Sequence, residues 1–158
     1  MTAAWAKPPE AGKPAPSVEA VTLDGAKFST TDQIGKVVIV HFWATWCAPC
    51  RSEMPLLDAF YKQHRNEGVE VIAISLDDPE NLTQVKSVMA AFSYPGALLT
   101  QTQAKGYGRL WHIPLTFVID RQGILRRNAW KAAPTVDAAD LDAEVLPLLG
   151  DHWAHRKS

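Results

Sequence analysis

Phe42-Trp43-Ala44-Thr45-Trp46-Cys47-Ala48-Pro49-Cys50 is the stretch on which the reading of this chain turns. Leading into it is Val37-Val38-Ile39-Val40-His41-Phe42-Trp43, almost wholly apolar and rich in β-branched residues. That is the pattern of a strand buried on both faces, as in a parallel or mixed sheet. Beyond it a helix is expected over 48–66, with Met54, Leu57 and Tyr61 on one stripe and Gly68 just past the end. The two cysteines therefore fall where a buried strand gives way to a helix. Free backbone N–H groups and the helix dipole favour negative charge there, which lowers the pKa of Cys47 and raises its thiolate fraction. Cys50 lies one turn further in, so its sulfur can approach Cys47 and resolve a mixed disulfide formed on it. Pro49 is tolerated in the first turn, where a missing N–H costs little.

Two blander uses of the pair compete. Half of a zinc site would need histidines, because the chain has only two cysteines and lacks a second Cys-x-x-Cys or a His-x-x-x-His. A structural disulfide closing so short a loop restricts the unfolded chain very little. A redox dithiol fits best.

Working outward, a second buried strand is expected over 69–76, which completes a βαβ unit with a right-handed crossover. On the N-terminal side, 17–23 reads as a strand, Asp24-Gly25 as a tight turn, 26–29 as its return and 30–34 as a helical turn. On the C-terminal side, Asp77-Asp78-Pro79 opens a helix reaching about Phe92, with Leu82, Val85, Val88 and Met89 inward. A short strand over 97–99, a helix over 103–110, strands over 115–120 and 124–130 and a closing helix over 137–149 follow. The expectation is an α/β domain over 17–150: one mixed sheet with helices on both faces.

The 158 residues carry 16 Lys+Arg against 17 Asp+Glu, a net charge of −1. No basic excess is available to neutralise a phosphate backbone, so no nucleic-acid partner is expected. No apolar run reaches the roughly 18–20 residues of a membrane span. Residues 1–16 hold four prolines and few apolar side chains, and are expected to form an extended Pro/Ala-rich linker rather than a packed element. They contain no charged n-region followed by an apolar stretch. The chain is then either cytoplasmic, or exported with a signal or membrane tether outside this sequence. Residues 151–158 read as a polar tail, and its His152 and His155 as part of that tail rather than a metal site.

The Phe42-Trp43-Ala-x-Trp46-Cys47-x-Pro49-Cys50 motif beside a βαβ unit resembles the active site of the thioredoxin superfamily. Within it, the chain is most similar to the TlpA/ResA-like branch of membrane-anchored or periplasmic thiol–disulfide oxidoreductases. Further points of likeness are the N-terminal hairpin, Gly35-Lys36-Val37-Val38, Arg51-Ser52-Glu53, the α/β segment around 79–99, and Ile113-Pro114-Leu115-Thr116-Phe117-Val118-Ile119-Asp120. The resemblance implies a thioredoxin fold with an N-terminal β-hairpin and a central α/β insertion. It implies an enzyme that exchanges the Cys47–Cys50 dithiol with protein disulfides, as a reductant in the cell envelope. Such an enzyme needs no metal or other cofactor, works as a monomer, and depends on a redox partner that recycles the dithiol.

The resemblance also assigns supporting residues. Pro114 matches a cis-proline that packs against the cysteines, with the backbone of its neighbour Ile113 pairing with the bound substrate chain. Trp46 and Pro49 would belong to the docking surface, and Trp43 to the core. Glu53 matches an acid that takes the proton of Cys50 during exchange, the alternative being a solvated first-turn glutamate. His41 is a departure, standing where ordinary thioredoxins carry a buried aspartate. It is either a proton relay or, the better reading, a neutral core histidine with one hydrogen-bond partner. Pro55 should bend the helix. Leu115 stands where cytochrome c maturation members carry an acid, and His112 where a glycine is common. Two other functions share the fold. A peroxiredoxin-like thiol peroxidase would want a Pro-x-x-x-Thr ahead of its cysteine, which is absent. A copper carrier would want its cysteines one residue further apart.

Overall fold

The computed structural model describes residues 8–150. Residues 1–7 of the expected linker, and the expected polar tail at 151–158 with His152 and His155, lie outside the described residues. The strands are β1 (Glu19–Thr22), β2 (Lys27–Ser29), β3 (Val37–Trp43), β4 (Val69–Ser75), β5 (Gly96–Gln103), β6 (Leu115–Ile119) and β7 (Leu125–Arg127). The α-helices are α1 (Ala48–His64), α2 (Leu82–Met89) and α3 (Ala138–Val145). The strands form one sheet in the order β2-β1-β5-β4-β3-β6-β7. The pairs β3–β4 and β4–β5 are parallel and the remaining neighbours antiparallel. This is the mixed sheet of a thioredoxin fold, with the N-terminal hairpin and the inserted α2–β5 unit.

Every residue of β3 is buried, because alternate side chains serve two cores. Val37, Ile39 and Trp43 pack with Met54 and Leu57 of α1 and Leu141 and Val145 of α3. Val38, Val40 and Phe42 pack on the other face with Phe117, Ile119 and Tyr107.

The helices do not lie on both faces as expected. Side chains of α1, α2 and α3 all enter the same core. The crossovers β3–α1–β4 and β4–α2–β5 step the same way along the sheet, and two right-handed crossovers in one direction place both helices on one side. The helix expected over 103–110 shrinks to a single 3-10 turn, Lys105–Tyr107. Gly106 and Gly108 weaken a helix there, and Gly108 adopts a φ of 86°. The second face is closed instead by Tyr107. Its ring stands against Phe117 at 4.8 Å and Phe42 at 6.0 Å, and its hydroxyl donates to the Pro16 carbonyl at 2.8 Å.

Two further boundaries differ. β5 runs eight residues rather than three, since its polar second half pairs with β1 (Glu19↔Gln103, Ala20↔Thr102) and ties the hairpin to the sheet. The lead over 9–15 turns at Ala11–Gly12 and keeps residues 10–14 exposed, yet it is tied to the domain by hydrogen bonds rather than running free. Gly12 N–H donates to Leu125 O, Leu125 N–H to Lys13 O and Ala15 N–H to Gly123 O, at 2.8–2.9 Å. The Asn128 amide adds a bond to the Pro9 carbonyl at 2.8 Å. Prolines suit such an edge because only some of its residues need donate.

Candidate active site

The loop between β3 and α1 is fixed before the cysteines begin. Thr45 donates its backbone N–H to Asp77 Oδ2 at 2.8 Å and its hydroxyl to Oδ1 at 2.6 Å. Ser75 donates its hydroxyl to Oδ2 at 2.6 Å. Burial alone would raise the pKa of Asp77, but the hydrogen bonds from Ser75 and Thr45 outweigh it and leave it below the usual carboxylate range. From the sequence, Asp77 was expected only to open the following helix. The available signal was an acid just after a buried strand whose parallel neighbour ends at the site.

Cys47 is the N-cap of α1, and the Cys50 N–H points at its sulfur, 3.3 Å away. A donor so placed stabilises charge on that sulfur when it is a thiolate. Cys47 and Cys50 are joined by a disulfide, with their Cα atoms 5.3 Å apart. Cys47 is 6% exposed and Cys50 fully buried. Pro49 is exposed in the first turn, and Trp46 stands out into solvent at 69% exposure.

The Ile113–Pro114 peptide is cis. Its place follows from register: Leu115 pairs with Phe42 at the end of β3 that leads to the cysteines, so Pro114 sits at the same sheet end as the disulfide. Pro114 is buried and Ile113 half-buried. Next to them Trp111, 72% exposed, stacks edge-on to His112 with ring centroids 5.6 Å apart. Trp111 was not singled out from the sequence.

Behind the disulfide lies a buried polar group. Glu53, on α1, is 3% exposed. Its Oε1 accepts from the Val136 N–H at 2.5 Å, and Oε2 has no partner among the described residues. Burial pushes its pKa up to about 7, against the opposing pull of the Val136 N–H and the Arg127 guanidinium. Arg127 is itself buried, and donates to Glu144 Oε2 (2.8 Å), Thr116 O (2.8 Å) and Ala133 O (3.0 Å). The Thr116 hydroxyl lies 3.0 Å from His41 Nδ1, directly across from it in the β3–β6 register. His41 is fully buried, and its Nε2 has no hydrogen-bond partner of good geometry among the described residues. Burial drives its pKa down to about 3, with the Cys50 backbone pulling weakly the other way, so the ring is neutral at ordinary pH. Arg127 and Thr116 were invisible as site residues in sequence, where both read as ordinary strand positions.

The site can therefore cycle a dithiol and a disulfide and hold a thiolate at a helix start, with a buried carboxyl three residues beyond the inner cysteine on the same helix. Among the described residues, no group of three His, Cys, Asp or Glu side chains is placed to hold a metal ion.

Comparison with known proteins bears on this arrangement. The sequence profile of the AhpC/TSA family matches residues 11–128. The thiol-disulfide oxidoreductase ResA of Bacillus cereus is 35% identical over 114 residues, 71% of this chain and 65% of that protein. The chain thus spans just under two thirds of the length of that relative. A solved thioredoxin-family thiol:disulfide interchange protein from Chlorobium tepidum TLS is 31% identical, with a TM-score of 0.73 over 91% of this chain and 100% of that one. A secreted thiol-disulfide isomerase from Corynebacterium glutamicum is 25% identical, with a TM-score of 0.68 over 87% and 86%.

Proposed function

This chain belongs to the AhpC/TSA family, and on that premise we propose that it is a thiol–disulfide oxidoreductase, exchanging its Cys47–Cys50 pair with protein disulfides as a reductant in the cell envelope. The observation that carries the reading is the Cys47–Cys50 disulfide at the start of α1, at the same sheet end as the cis Ile113–Pro114 bond. In the reduced enzyme, the Cys47 thiolate attacks one sulfur of a substrate disulfide and expels the other as a thiolate. Glu53 takes the Cys50 proton, the Cys50 thiolate attacks the Cys47 sulfur, and the second substrate thiolate leaves. Two electrons pass to the substrate, and a redox partner restores them by the same exchange in reverse. Ile113 and Pro114 line the bound substrate strand, while Trp46 and Pro49 form the exposed surface it docks on.

The cell-envelope placement is supported by the relatives: one solved neighbour is described as secreted. No helix among the described residues is long and apolar enough to cross a membrane. The bond between the two cysteines favours a dithiol enzyme over a thiol peroxidase working through one cysteine. A copper carrier needs a further ligand beside the pair, and none of the described residues completes such a group.

Equilibration of the protein against mixtures of reduced and oxidised glutathione tests the proposal. A reversible two-electron couple within roughly −270 to −120 mV is expected. A pair that never re-reduces across that range, or a titration with one-thiol stoichiometry, contradicts it.

A further inference from the structure

A groove of about 690 Å³ lies between α1 and α2 and opens beside the loop that carries Cys47. Its walls are Trp46, Arg51 and Pro55 on one side and Ser87, Val88 and Phe92 on the other. It exists because both crossovers place their helices on one face of the sheet, leaving a channel between them. Of its walls, the exchange chemistry above uses Trp46 alone.

We propose that this groove seats the segment flanking the reactive cysteine of a protein substrate, as an extended chain with an acidic side chain opposite Arg51. The inference rests on the disulfide-exchange reading. Four features carry it. Trp46 and Ala48, on either side of Cys47, both line the groove, so a chain covalently held on the Cys47 sulfur has the groove within reach. Arg51 is the one charged side chain lining it among the described residues, which makes the channel attractive to a carboxylate. Trp46, Val88 and Phe92 give the same channel apolar surface for a neighbouring side chain, and the indole is 69% exposed.

The fourth feature is a backbone acceptor. Pro55 sits inside α1 and has no N–H, so the Arg51 carbonyl four residues earlier lacks its usual helical donor. Both residues line the groove, where an N–H of the extended substrate backbone would be that carbonyl's donor. The other acceptor nearby is already used, since the Ser52 hydroxyl donates to Ala48 O at 3.2 Å. The mouth of the groove is also held rigid relative to the disulfide, because both Thr45 donors are bound to Asp77.

The test uses two disulfide-bonded peptides identical except for Asp or Lys a few residues from the cysteine. The quantity read is the ratio of their kcat/KM values with each protein, so that any change in thiol reactivity cancels. The wild-type protein should favour the Asp peptide by about threefold to tenfold, the range of a partly solvated charge pair. Arg51→Glu should invert the preference. Ser87→Glu, on the α2 wall of the groove rather than on the cysteine helix, should bring the ratio toward one. A ratio near one in the wild type, or one that neither substitution moves, overturns the groove as the seat of the substrate while leaving disulfide exchange intact. Failure to exchange with either peptide overturns the redox reading and this inference with it.

Discussion

Glu53 accepts the Val136 backbone N–H through Oε1 at 2.5 Å, and its second oxygen is buried without a partner among the described residues. One oxygen anchors the side chain, so the other is the natural place for a proton to arrive. A thiol one turn into a helix and buried resists ionising, and Cys50 must lose its proton to attack the mixed disulfide. Glu53→Gln keeps size and hydrogen bonding but removes the base. The first attack by Cys47 should survive, and the resolution step should slow by about tenfold to a hundredfold. Rapid mixing with a disulfide peptide, following the rise and decay of the mixed disulfide, measures this. An unchanged decay rate across pH 6–8 would remove Glu53 from the reaction.

The same carboxyl sets a stability signature. Its folded-state pKa is pushed up to about 7 from an ordinary 4.5, so its stabilising share is whole below about pH 4.5 and is lost as pH rises through 7. Glu53→Gln removes that loss. Relative to wild type the variant should gain stability between pH 5 and 8, by up to about 3 kcal/mol. Denaturant unfolding of the oxidised proteins at both pH values reads it; a constant difference contradicts the burial argument.

His41 works in the opposite sense. Its pKa is driven from 6.5 down to about 3, so its contribution is whole above 6.5 and is lost as pH falls toward 3. His41→Asn should therefore flatten the acid limb of the stability profile and leave the limb above pH 7 alone. An unaltered acid limb would mean the ring is already solvated.

Arg127 joins α3, through Glu144, to the strand that follows the cis-proline, through Thr116. Arg127→Met should cost about 2–4 kcal/mol, because it leaves the Thr116 and Ala133 carbonyls without their donor. It also removes the positive charge that holds the Glu53 pKa down. The pH profile of mixed-disulfide resolution should move to higher pH in this variant. Lost stability with an unmoved profile would make Arg127 a structural residue only.

Asp77 anchors the pre-cysteine loop. Asp77→Asn keeps the shape but weakens the bonds to Thr45 and Ser75, at a cost of about 1–3 kcal/mol. Amide exchange at Thr45 should quicken while that of β3 does not. Equal protection at Thr45 in both proteins would show that the loop holds itself.

Local patterns made much of this legible. The apolar run of β3 and the stripe on α1 appear over the residues their periodicities marked, and Gly68 closes the helix region with a φ of 99°. The helix expected over 103–110 is absent because Tyr107 fills the opposite core through a single 3-10 turn, with Gly106 and Gly108 on either side of it. The second half of β5 was unreadable because polar, exposed residues there are held by pairing rather than burial. The cysteines declared themselves by spacing. Asp77, Thr116 and Arg127 did not, because each reaches the site across the sheet, and distance along the chain hides that.

The central claim is that Cys47 attacks and Cys50 resolves. Trapping tests it most directly: Cys50→Ser and Cys47→Ser are each reduced, mixed with disulfide-bonded protein substrates, and the covalent adducts identified by mass spectrometry without reductant. The account predicts adducts through Cys47 in the Cys50→Ser protein and essentially none in the Cys47→Ser protein. Adducts accumulating instead on Cys50 of the Cys47→Ser protein would contradict it.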